Sequence, residues 1–146
     1  MNKLYSFIIL LLFVITFGSC KKARLEKMEQ SLVGSWELRE ISGGEIFGIS
    51  SHYAAGNGNI MQFTERNVTH ILANKIATSG SYTVDVRGSG RDREYIINYR
   101  DLGTQTFFKI EDNKLTMYSD PELQGELQDA TPAIYERVKD PVLERN

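Results

Sequence analysis

Few side chains in this chain are of the kind that do chemistry, and their spacing argues against catalysis. His52 and His70 are the only histidines, and neither belongs to a His-x-His or His-Glu-x-x-His run that would gather ligands around zinc. A single cysteine, Cys20, leaves no Cys-x-x-Cys pair either. His70 falls in a stretch of alternating apolar residues and reads as a strand residue. The carboxylates Glu122 and Glu126, and Asp92 and Glu94, have the proximity that general acid–base work needs. In a chain that is 25% charged, however, a solvated surface produces such pairs by default. Gly88-Ser89-Gly90-Arg91-Asp92 lacks the strand-to-helix setting of a phosphate loop and reads as a hairpin turn. No serine sits in a nucleophile elbow, and Asn67-Val68-Thr69 matches a glycosylation acceptor in form only. The expectation is a protein that is not an enzyme and holds no metal and no cofactor.

The chemistry of Cys20 is of another kind. Residues 1–19 have the layout of a secretory signal: a charge at Lys3, an apolar run from Leu4 to Phe17, and the small pair Gly18-Ser19. The run is shorter than the roughly 20 apolar residues that span a bilayer. Phe17-Gly18-Ser19-Cys20 resembles the lipobox of bacterial lipoproteins, in which the signal is cut before the cysteine and the cysteine is acylated with palmitate-type chains. Several chains on one residue imply durable anchoring, since each buried methylene adds about 0.8 kcal/mol. An uncleaved anchor or an ordinary secretory signal is the alternative. Lys21, Lys22 and Ala23 follow the cysteine, whereas surface-export signals of Bacteroidetes lipoproteins are acidic. The expected address is therefore the periplasmic face of the outer membrane.

Cleavage would leave residues 20–146, enough for one domain with a core of its own. The formal net charge is -2 with no basic cluster, so nucleic acid is not an expected partner. Residues 20–32 read as a charged tether that either ends in a short helix, on the spacing of Leu25, Met28 and Leu32, or is plain linker. Beyond it, period-two alternation in Val, Ile, Tyr, Phe and Thr predicts eight strands, near residues 33–41, 59–64, 68–73, 80–86, 93–99, 104–110, 114–119 and 133–138. Trp36, Leu38, Met61, Phe63, Tyr82, Val84, Val86, Tyr95, Ile97, Tyr99, Phe108, Ile110, Leu115 and Met117 form the expected inner face. Turn-like links such as Glu65-Arg66-Asn67, Gly88-Ser89-Gly90 and Glu111-Asp112-Asn113 predict antiparallel neighbours. An all-β, antiparallel up-and-down β-barrel of about eight strands follows, because closure removes exposed edges; an open sandwich is the fallback.

Gly34-Ser35-Trp36 at the head of the first strand resembles the Gly-x-Trp signature of lipocalins and of lipocalin-like lipoproteins of the Bacteroidetes. Gly80-Ser81-Tyr82-Thr83-Val84, residues 107–116 and Tyr135-Glu136-Arg137-Val138 are similar to strands of those domains. The resemblance implies a lipocalin-like barrel over residues 33–139, followed by a tail at 140–146. It also implies that Trp36 closes one end of the barrel under a basic residue of the last strand, Arg137.

In a meander the connections alternate between the two ends, so the two longest, residues 42–58 and 120–132, share one end. Long loops of this kind are often functional. Ile46, Phe47, Ile49, His52 and Tyr53, with Leu123 and Leu127, are therefore the candidate mouth, serving either as a ligand lid or as a plug. The expected function is binding of a small apolar or amphipathic molecule there. The alternative is a protein-interaction module, an envelope assembly factor or inhibitor, with a packed barrel.

Overall fold

A computed structural model describes residues 22–41, 52–120 and 132–141. Cys20, Ile46, Phe47, Ile49, Leu123 and Leu127 lie outside the described residues. The architecture is a helix, α1 (residues 22–32), followed by eight strands: β1 (Gly34–Ile41), β2 (Asn59–Phe63), β3 (Asn67–Leu72), β4 (Lys75–Arg87), β5 (Glu94–Tyr99), β6 (Thr104–Glu111), β7 (Lys114–Tyr118) and β8 (Ala133–Val138). Each strand pairs antiparallel with the next, and β8 pairs back onto β1, so the sheet closes as an up-and-down barrel in chain order. Among the described residues no helix is long and apolar enough to cross a membrane.

Register puts one set of alternate residues in the lumen. Trp36 lies opposite Met61 and Arg137, Phe63 opposite Val68, Tyr82 opposite Tyr99, Tyr95 opposite Phe108, and Leu115 opposite Tyr135. Phe63 and Tyr82 meet edge to face at 5.3 Å, within the range where aromatic pairs attract. The core consists of Leu32, Trp36, Phe63, Val68, Tyr82, Val84, Ile97, Phe108, Leu115 and Met117. Leu25 and Met28 pack against it from α1, so the apolar stripe of the helix covers one end of the barrel.

That closed end has its own chemistry. The Trp36 indole donates to the Leu32 carbonyl at 2.8 Å, tying β1 to the last turn of α1. The Arg137 guanidinium stacks over the indole, 4.1 Å from the ring centre, and donates to the carbonyls of Val33 and Ser31. A cation thus sits where α1 leaves carbonyls without helical partners. Gly34 is required beside it: its φ is +131°, and a Cβ there would collide with the Arg137 guanidinium.

Strand β4 is longer than the alternation of the sequence predicts, beginning at Lys75 rather than Gly80. The two-residue turn Ala73-Asn74 has positive φ at both positions, the hairpin geometry that lets a strand restart at once. Residues 72–79 are exposed on both faces, so no inside-outside alternation marks them as strand.

Candidate functional site

The end opposite α1 carries the connections after β1, β3, β5 and β7, and both cavities of interest open there. The first, of about 430 Å³, is lined by Thr106, Met117, Ala133 and Tyr135 from the inner faces of β6, β7 and β8, with Gln105, Tyr118, Ser119 and Asp120 at its rim. The second, of about 200 Å³, is lined by Met61, Val68, His70, Thr78, Gly80 and Tyr99, together with Asp101 and Leu102 of the connection after β5. Tyr99, which lines the smaller cavity, is hydrogen-bonded to Thr106, which lines the larger one. The phenols of Tyr99 and Tyr135 therefore stand close together in the upper lumen.

Burial pushes both phenols up, and each is pushed further by a neighbouring phenol, Tyr135 acting on Tyr99 and Tyr53 acting on Tyr135. These groups remain neutral hydroxyls, able to donate as well as accept. His70 faces the lumen in register with Met61, and its Nε2 lies 2.7 Å from the Asn59 side-chain oxygen. Burial holds its pKa below the ordinary value, which favours the neutral imidazole. The inner lining of the open end is thus apolar surface interrupted by uncharged hydroxyl and imidazole groups, with the carboxylates of Asp101 and Asp120 at the edges of the two cavities.

Of the mouth residues expected from sequence, the structure describes Tyr53 and His52 and separates them. The Tyr53 amide donates to the Arg39 carbonyl at 2.8 Å, and its ring stands near Tyr135 at the mouth. His52 bridges to Glu40, whose partner on β8 is Ile134 rather than the inward Tyr135, and its side chain is 78% exposed. His52 therefore belongs to the outer side of the rim. The cavity-lining Thr78, Thr106, Leu102 and Ala133 were not singled out from sequence. The inward parity of Thr106 and Ala133 within their strands would have located them, whereas Thr78 precedes the expected start of its strand.

A third feature holds the rim. Glu37 is only 4% exposed although it points out of the barrel, because the chain at 54–58 folds over it. Its carboxylate accepts the backbone N–H groups of Gly56 and Gly58, each at 3.0 Å, and pairs with Arg39, which also donates to Glu136. Burial alone would raise the Glu37 pKa; the two amides and the guanidinium outweigh it and hold the carboxyl below its usual value. Among the described residues, no three His, Cys, Asp or Glu side chains converge as a metal site requires. No family model, curated protein or solved structure matches the chain.

Proposed function

We propose that this protein is a lipocalin-like lipoprotein, anchored through Cys20 to the periplasmic face of the outer membrane, that binds a small apolar or amphipathic molecule at the open end of its barrel. The observation that carries the reading is the cavity of about 430 Å³ beside Tyr53 and Tyr135, at the end opposite the helical plug. Its volume falls within the roughly 300–1,000 Å³ of small-molecule pockets. The lining pairs Met117 and Ala133 with the hydroxyls of Thr106 and Tyr135, which suits a ligand with an apolar body and one or two hydrogen-bonding groups. The role is carriage or sensing, without chemistry on the ligand.

A second reading, a protein-interaction module, is favoured by the lower barrel, where Trp36, Phe63, Tyr82 and Phe108 are packed solid. Native mass spectrometry of the full chain, purified in mild detergent from its own host, separates the two. A near-stoichiometric small molecule that is lost in Tyr53→Asp supports the ligand reading. The intact mass also reports acyl chains, which Cys20→Ser should remove. A chain that carries no molecule in repeated preparations would refute ligand binding and leave the interaction module.

A further inference from the structure

The barrel closes, yet one strand keeps an open side. Tyr82–Arg87 of β4 pair with β5, whereas Lys75–Ser81 pair only with β3. At Ser81 the far side is occupied: its N–H donates to the Asp101 carboxylate at 2.7 Å and its carbonyl accepts the Arg100 N–H at 3.1 Å. Main-chain groups alternate sides along a strand, so Ser79, two residues back, presents its N–H and C=O to the same side. No described residue bonds the chain there, and residues 72–79 are exposed. Such an edge is a template for another strand unless something blunts it.

The smaller cavity lies directly beside this edge, since Thr78 and Gly80 of β4 form one wall and Leu102 and Tyr99 the other. At about 200 Å³ it exceeds the roughly 150 Å³ that accommodates a benzene ring. Cations stand at both ends of the edge, Lys75 before it and Arg100 after it, and neither has an ion-pair partner among the described residues. Leu72, Ile76 and Leu102 are the exposed large apolar residues of the described surface, and all belong to this side of the rim.

We propose that the open side of β4 and the adjoining cavity form a peptide-docking edge. The partner is an extended segment of about seven residues, matching the edge at about 3.4 Å per residue. It adds to β4 as a strand, inserts one apolar side chain no larger than a phenyl ring between Val68 and Tyr99, and places acidic residues near Lys75 and Arg100. Main-chain bonds supply affinity in this mode, while the pocket and the two cations supply specificity. This site is separate from the cavity at Tyr135, so either proposal can fail without the other.

The test uses the full chain in mild detergent and dye-labelled peptides of the pattern Asp-Thr-Thr-X-Thr-Thr-Asp, with Phe, Leu, Val or Asp at X, read by fluorescence anisotropy and amide exchange. The expected result is binding of the Phe and Leu peptides with slowed exchange at the outward-facing amide of Ser79. Methylating alternate peptide backbone nitrogens should weaken binding by about tenfold or more, as loss of about 1.4 kcal/mol of main-chain bonding requires. Lys75→Glu combined with Arg100→Glu should weaken it by a similar factor at low salt. Equal binding of the methylated peptide would overturn the proposal in favour of a site for an isolated ring. Slowed edge exchange that rises with protein concentration in the absence of peptide would overturn it in favour of a second copy of this chain. Absence of binding by every apolar-centred peptide would overturn it outright.

Discussion

Replacing Arg137 by Met keeps an apolar stem over Trp36 and removes the cation and its donors. The lost stacking contributes about 0.5–2 kcal/mol. Hydrogen bonds from a charged donor contribute about 1.5–3 kcal/mol each, but Ser31 and Val33 are only half-buried, so water can recover part of what the guanidinium gave. Taking the low end of each contribution gives about 3.5 kcal/mol, and the part that water recovers brings the total near 3 kcal/mol. For a barrel spanning Gly34–Val138, at about 4 °C per kcal/mol, the midpoint of thermal unfolding should fall by about 12 °C. Arg137→Lys keeps the charge but lacks the planar fork that stacks and reaches two carbonyls at once, and should recover less than half of the loss. Urea unfolding followed by circular dichroism measures both variants. The chain has one tryptophan, so its emission reports on this end of the barrel specifically and should shift in Arg137→Met before any unfolding. A loss below about 1 kcal/mol, or a lysine variant as stable as the parent, would show that the indole is held by packing alone and that the closed end does not depend on the cation.

Two further outcomes follow from the titrating groups. Glu37→Gln should destabilise the chain by about 1–3 kcal/mol, through weaker bonds to the Gly56 and Gly58 amides. Because the folded carboxyl sits below its unfolded value, the stability it confers is present above about pH 4.5 and disappears as pH falls through the folded pKa; acid titration of the parent should show this fall and the Gln variant should lack it. At alkaline pH, burial and the Glu29 carboxylate push Tyr82 up to about 12, and burial raises Tyr99, Tyr118 and Tyr135 as well. Their stabilising contribution is complete below pH 10 and is lost as pH rises through the folded values. Ultraviolet titration should therefore find fewer phenols ionising near pH 10 than in urea, and full ionisation only with unfolding.

The barrel was legible in sequence because six of its strands, β1, β2, β4, β5, β6 and β7, carry apolar residues at alternate positions that turn inward, which writes period two into the residues. The first part of β4, residues 75–79, escaped for the complementary reason: residues 72–79 have two wet faces and therefore no pattern. Conversely, Ile60, Ile71 and Phe107 point outward in register yet are buried, Phe107 under the Arg87 guanidinium at 4.4 Å. Such burial depends on segments distant in sequence, and so does that of Glu37, which in sequence is one more surface carboxylate. Trp36 and Arg137 were paired through the family resemblance, and the structure brings them into contact. Tyr53 could be assigned to the open end by counting connections, but counting says nothing of which way a rim residue turns, and His52 next to it faces outward. The open side of β4 arises from the stagger between β3 and β5, a property of register that alternation alone does not encode.

The helical plug has a consequence for how this chain can change over time. Leu32, Gly34, Trp36 and Arg137 hold the closed end, whereas Tyr135, Thr106, Leu102 and Thr78 line the open one, and the two sets share no member. Substitutions at well-separated sites combine additively. The rim is therefore free to drift in size and polarity while the plug continues to specify the barrel, so a lineage built on this scaffold can reshape its open end without first becoming less stable.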